Sequence, residues 1–211
     1  MYKARYAILL DGGFVTKKLQ AKSGSPATAD EIVALCDRLR SLPEVGPYEL
    51  LRIYYYDAWP SSEQVETPVS RQARNLAATP RYRQSQSLYD QLVMKPGFAL
   101  RMGETRLAPD RWKLTPRALR DLKTQPRTLT DDDFVLDIGQ KGVDMRIGMD
   151  MARLALRDLV RAIVVVTADS DFVPAFKFVR REGVKVILDT MGHRSARQEL
   201  KAHADFLAPL T

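Results

Sequence analysis

The chain has 211 residues, is 45% hydrophobic and 28% charged, and carries 33 Lys and Arg against 26 Asp and Glu, a net charge of +7. This is a globular composition, and no apolar run approaches the roughly 20 residues of a membrane span, so no membrane partner is expected. One cysteine, Cys36, and two histidines, His193 and His203, exclude an intramolecular disulfide, a cysteine-based zinc centre and a histidine-rich site, so carboxylates must carry most of any chemistry.

The first element is Tyr6 to Leu10, a continuous apolar run that reads as a buried parallel strand. It is shorter than the core of a secretory leader and ends at Asp11 without a small-residue cleavage site, so a cytoplasmic location is expected. Asp11-Gly12-Gly13 reads as a turn at its carboxyl end. A helix is expected from about Thr28 to Leu42, with Ile32, Leu35, Cys36 and Leu39 on its apolar face and Pro43 as its stop. Leu50 to Tyr56 is the second strand, ending in Asp57.

From Trp59 to about Asp133 the pattern changes. Thirteen Lys and Arg face four acids between Arg71 and Arg127. Tyr89 to Val93 looks like the end of a helix, and Phe98 to Gly103 suggests a strand. The stretch 59–133 is read as a partly helical, basic elaboration packed on the sheet of a single domain spanning 1–211.

Regular alternation returns after it. Val143, Ile147, Met151 and Leu154 recur at helical spacing. Ala162 to Val166 is a third strand, followed by a helix over about Phe172 to Glu182 that Gly183 closes. Val184 to Leu188 is a fourth strand, ending in Asp189, and a last helix is expected from roughly Ala196 to Leu207. Strand and helix in alternation specify an α/β fold, a parallel sheet with helices on both faces.

Asp11, Asp57 and Asp169 all stand where strands should end, the edge of an open α/β sheet that binds ligands. Asp171 stands two residues after Asp169, and carboxylates so close repel unless a cation is held between them. Oxygen donors of this kind favour Mg2+ or Mn2+. Asp144 falls in the first turn of a helix and Asp171 just before one, which also suits simple helix-end roles. Asp150 shares a helix face with Arg146, Arg153 and Arg157, and a solvent-side ladder of ion pairs accounts for it without a metal. The carboxylates alone admit three chemistries: metal-assisted phosphodiester hydrolysis, phosphoryl transfer through an aspartate nucleophile, or binding without reaction.

A resemblance narrows this. Gln140-Lys141-Gly142-Val143-Asp144 through Asp150 is similar to the K-G-V-D-x-x-x-x-x-D motif of NYN domains. Thr167-Ala168-Asp169-Ser170-Asp171-Phe172-Val173-Pro174 resembles their S-G-D-S-D-F-x-P motif, Ala204-Asp205-Phe206 resembles the closing segment, and Tyr54-Tyr55-Tyr56-Asp57 looks like the LabA-like branch. The resemblance implies a PIN-like three-layer α/β/α fold with a central parallel sheet, and a metal-dependent ribonuclease. It implies that Asp11, Asp144, Asp169 and Asp171 ring a Mg2+ or Mn2+ ion, with Asp150 as a further metal ligand. Gly12, Lys141, Thr167 and Ser170 would contact substrate, RNA would be the partner, and a homo-oligomer is an open expectation. Two positions depart from the pattern. Phe14 stands where many members have Asn, and Ala168 replaces a Gly. The alternatives to a nuclease are a non-catalytic nucleic-acid- or protein-binding regulatory domain and an aspartyl-phosphate enzyme. The last lacks its opening motif, because Gly13 stands where a second Asp is needed.

Overall fold

A computed structural model describes residues 4–193 and 195–209, apart from the side chain of Pro109. In chain order the elements are β1 (Arg5–Asp11), α1 (Gly12–Ser23), α2 (Ala29–Arg40), β2 (Glu49–Ala58), β3 (Gln64–Glu66), β4 (Ala73–Asn75), α3 (Pro80–Val93), β5 (Phe98–Leu114), α4 (Pro116–Thr124), β6 (Phe134–Lys141), α5 (Val143–Leu156), β7 (Ala162–Val166), α6 (Val173–Arg181), β8 (Lys185–Asp189), α7 (Gln198–Ala202) and β9 (Phe206–Leu207). They form two compact units. One comprises 1–57, 87–103 and 142–211; the other comprises 58–86 and 104–141.

The first unit is α/β. Its strands lie in the order β5-β2-β1-β7-β8-β9, and the neighbours from β2 to β9 pair in parallel. β1 sits between β2 and β7, so both its edges are paired, and Tyr6 through Leu10 are buried. Burial of each such large side chain contributes about 1.5–3 kcal/mol, which is why an unbroken apolar run selects an interior strand. Parallel pairing has a second consequence. It brings the carboxyl ends of β1, β2, β7 and β8 to one edge, with Asp11 level with Tyr56, Leu10 with Val166, and Val166 with Asp189.

α2 follows its sequence pattern closely. Thr28 Oγ1 accepts the Glu31 N–H at 3.2 Å while Glu31 accepts the Thr28 N–H at 2.8 Å. Such a reciprocal cap is worth about 1 kcal/mol. Ile32, Leu35, Cys36 and Leu39 form the buried face.

Two expectations are corrected in this unit. The Asp11-Gly12-Gly13 turn is the start of α1, whose first turn is capped by Asp11. The long final helix is the five-residue α7 followed by β9. Asp205 diverts the chain onto the sheet, since its N–H donates to Val186 O and its carboxylate accepts the Val186 N–H, each at 2.8 Å. Ala208 N–H then donates to Leu188 O at 2.8 Å.

In the second unit, β5 beyond residue 103 pairs antiparallel with β6, from Glu104 opposite Lys141 to Leu114 opposite Phe134. β3 and β4 form a small antiparallel pair. Trp112 Nε1 donates to Glu66 O at 2.8 Å, and Val69 N–H to Asp131 at 2.9 Å, closing the unit on itself. Asp133 is its buried charge, held by Arg127 and by the Thr130 N–H.

Candidate metal centre

Asp11 is held at the carboxyl edge through both of its oxygens. As the cap of α1 it accepts the Phe14 N–H on Oδ1 at 3.1 Å, and it accepts the Thr167 hydroxyl on Oδ2 at 3.0 Å. The same Thr167 hydroxyl accepts the Asp169 N–H at 3.1 Å, and Asp169 accepts the Asp171 N–H at 2.9 Å. A single run of hydrogen bonds therefore links the end of β1 to three successive groups after β7. Thr167 is fully buried and both functions of its hydroxyl are used, so it organises the acids and does not face a substrate.

Electrostatics bring in Asp144 and Asp57. Burial pushes the Asp11 carboxyl above its ordinary range; the bonds from Phe14 and Thr167 draw it back, and the charges of Asp144 and Asp57 raise it again. Loss of water around the Asp144 carboxyl raises it too, with Asp169 and Asp171 adding to the effect. Asp144, Asp169 and Asp171 are exposed as residues, so water and ions reach them. Asp144 lies in the first turn of α5, whose own cap is Gly142 without a side-chain bond. The capping role considered for Asp171 falls instead to Asp169.

Asp57 belongs to a buried layer beneath this edge. Tyr55 Oη donates to its carboxylate at 3.2 Å, and burial, then the Asp57 charge, keeps that phenol neutral by raising its pKa. Gly12 packs on the same tyrosines. A Cβ there would meet Tyr55 Cζ and Tyr56 O, both at 2.6 Å. Its lack of a side chain is thus required by the approach of α1 to β2.

Asp150 corrects a sequence expectation. It does not form a ladder with Arg146, Arg153 and Arg157. Its carboxylate accepts Tyr56 Oη at 3.0 Å and pairs with Arg101 Nε at 3.1 Å. Arg101 in turn lies 5.5 Å from the centre of the Tyr54 ring. Composition along α5 hides this, because the partners are on β2 and β5. At the end of β8, Asp189 is buried, paired with Arg38 and bonded to the Met191 N–H at 2.7 Å. Asp189 was visible as a strand-end acid; Arg38, 151 residues away, carried no local signal.

Among the other expected contacts, Ser170 is half-buried in a 3-10 turn over Ser170–Phe172. Lys141 is exposed at the end of β6 in the second unit. Phe14 replaces an amide with an aromatic ring that meets the edge of His193 at 5.8 Å.

The donor set suits a hard divalent cation: four carboxylates, three of them exposed, with the Asp144 charge raising Asp11 and the Asp169 and Asp171 charges raising Asp144. Among the described residues no three His, Cys, Asp or Glu side chains converge tightly enough to enclose an ion.

Comparison with known proteins agrees with this architecture. The NYN domain family matches residues 106–210, a span that includes Asp144, Asp169 and Asp171. The fold is similar to the crystal structure of a protein of unknown function from Vibrio parahaemolyticus, with a TM-score of 0.53 at 17% identity, over 98% of this chain and 92% of that one. No curated protein matches the chain. The mixed α/β architecture, with its central, mostly parallel sheet flanked by helices, is consistent with a PIN-like α/β/α fold. No helix among the described residues is long and apolar enough to cross a membrane.

Proposed function

We propose that the chain is a divalent-metal-dependent endoribonuclease of the LabA-like kind, hydrolysing RNA phosphodiester bonds in the cytoplasm at the edge formed by Asp11, Asp144, Asp169 and Asp171. The observation that carries this reading is the hydrogen-bonded run Asp11–Thr167–Asp169–Asp171 beside Asp144. The NYN match over most of that edge supports it.

Asp11, Asp144, Asp169 and Asp171 would hold Mg2+ or Mn2+. When bound, the ion supplies Lewis acidity, making a water nucleophilic near neutral pH and stabilising charge on the leaving oxygen. The protein supplies orientation. Both oxygens of Asp11 are fixed by Phe14 and Thr167, and Asp169 is fixed by the Asp171 N–H, so little reorganisation is left for the reaction. Asp144 and Asp171, exposed and with open oxygens toward solvent, orient water against the phosphate. Asp150, whose oxygens are engaged by Tyr56 and Arg101, holds β2 against α5 from outside the metal set.

The open spacing of the acids favours one second reading, a regulatory domain that binds nucleic acid without cutting it. A panel of labelled single-stranded RNAs incubated with Mn2+, Mg2+ or EDTA separates the two. Cutting in either metal and none in EDTA supports the nuclease; binding without cutting in any condition supports the regulator.

A further inference from the structure

The strongest unassigned feature lies at the amino end of the same sheet. A cavity of about 450 Å3 opens between the last turn of α6 and the start of β8, lined by Lys177, Arg180, Arg181, Gly183, Lys185 and Asp205 among others. Four cations face one acid. Asp205 is already committed, to Arg180 at 2.9 Å and to the Val186 N–H at 2.8 Å. Among the described residues Lys177, Arg181 and Lys185 have no ion-pair partner, and all three are exposed. Glu182, the nearest further acid in sequence, is exposed and does not line the cavity.

Helix-end electrostatics explain part of this. Basic residues in a last turn suit the negative end of a helix dipole, which accounts for Arg180 and Arg181. They do not account for Lys185, which opens a strand, or for Lys177, a turn earlier. Three unpaired cations around one concavity repel each other, and an anion with several oxygens relieves that repulsion. Two exposed aromatics adjoin the lining in sequence: Phe178 follows Lys177 and Phe206 follows Asp205, and they are 37% and 39% exposed. Unpaired cations around an open concavity suit the backbone of single-stranded nucleic acid, whose phosphates pair with the charges, and the two phenylalanines are exposed aromatic surface next to that lining in sequence.

We infer that this cavity is a phosphate-anchoring site for single-stranded RNA, separate from the acidic edge and at the other end of β8. The five residues of that strand put the two ends about 13 Å apart. One strand can therefore be held at its backbone here while another part of it reaches the acids. The site does not depend on the nuclease reading, because binding to it needs no metal.

The test is fluorescence anisotropy of the full chain with a labelled 12-residue oligouridylate in EDTA, from 50 to 200 mM salt. The variant carries Lys177→Gln, Arg181→Gln and Lys185→Gln. Loss of three phosphate contacts on a single strand flattens the slope of log affinity against log salt by about 2, so the wild type loses about twentyfold more affinity than the variant over that range. Lys177→Gln alone, on an exposed helix face, flattens it by about 0.7 and serves if the triple variant does not fold. Arg117→Gln with Arg120→Gln on α4 controls for general charge and leaves the slope steeper than the triple variant does. An unchanged slope in folded variants, or no binding by the wild type at 50 mM salt, overturns the proposal. So does polyglutamate competing as well as unlabelled oligouridylate. Because cleavage is not measured, failure here is distinguishable from failure of the nuclease reading.

Discussion

Thr167 donates its hydroxyl to Asp11 at 3.0 Å from a fully buried position, while taking the Asp169 N–H at 3.1 Å. One side chain thus sets the spacing between acids that stand 158 residues apart in sequence. Thr167→Val keeps the shape and removes both bonds. It leaves the Asp169 N–H and one oxygen of Asp11 without this partner, at a cost of about 1–3 kcal/mol. A urea midpoint lowered accordingly, with Thr167→Ser close to wild type, is the expected result.

Gly12 admits no substitution. The Cβ of an alanine would stand 2.6 Å from a tyrosine ring carbon and from a backbone carbonyl, and neither is the end of a flexible chain. Gly12→Ala should destabilise by about 1–3 kcal/mol, as overpacking does. A thermal midpoint equal to wild type would show that α1 approaches β2 less closely than described.

Burial drives the Cys36 thiol up to about 12, with Asp37 adding and Arg40 opposing. The neutral thiol is the form the fold favours. Its contribution is fully present below the ordinary thiol range of about 8.5 and is lost as pH rises towards 12. At pH 8 the native protein should resist a thiol-specific disulfide reagent and react completely once unfolded. Rapid stoichiometric labelling of folded protein would contradict this.

Asp133 shifts the other way. The Arg127 guanidinium, then the Thr130 N–H, hold its carboxyl well below the usual range. A depressed pKa stabilises the fold above the unfolded value of about 3.9 and stops doing so as pH falls through the folded one. Hydrogen-exchange protection in 104–141, corrected for the intrinsic rate at each pH, should therefore fall below pH 4. An Asp133→Asn variant should exchange faster at neutral pH and change less over the same acid range.

The strand ends were legible because a short apolar, β-rich run with an Asp within three residues of its end has few other readings. That logic found Asp11, Asp57, Asp169 and Asp189 without any knowledge of contacts. Periodicity found α2, since Ile32, Leu35, Cys36 and Leu39 recur at helical spacing and Pro43 ends the pattern; its reciprocal cap became visible only in the structure. What escaped has identifiable causes. α1 buries little beyond Gly12 and Val15, so it has almost no apolar period, and its two opening glycines imitate a turn. β9 is two residues long and owes its place to the carboxylate and N–H of Asp205. The partners of Asp150 are fixed by sheet order, which brings β2 and β5 side by side, and no spacing along α5 encodes them. The motif residues around Asp144 and Asp169 were visible as motifs, but the role of Thr167 as their organiser appears only when β1 and β7 are paired.

The central claim is that the Asp11–Thr167–Asp169–Asp171 edge is a hydrolytic metal centre. The most direct measurement is cleavage of labelled single-stranded RNA in Mn2+ by the wild type beside Asp169→Asn, with thermal unfolding of both. The account predicts metal-dependent cutting by the wild type, a loss of at least about 100-fold in the variant, as for removal of a principal electrostatic group, and nearly equal midpoints. Cutting by a folded Asp169→Asn protein at the wild-type rate would contradict it.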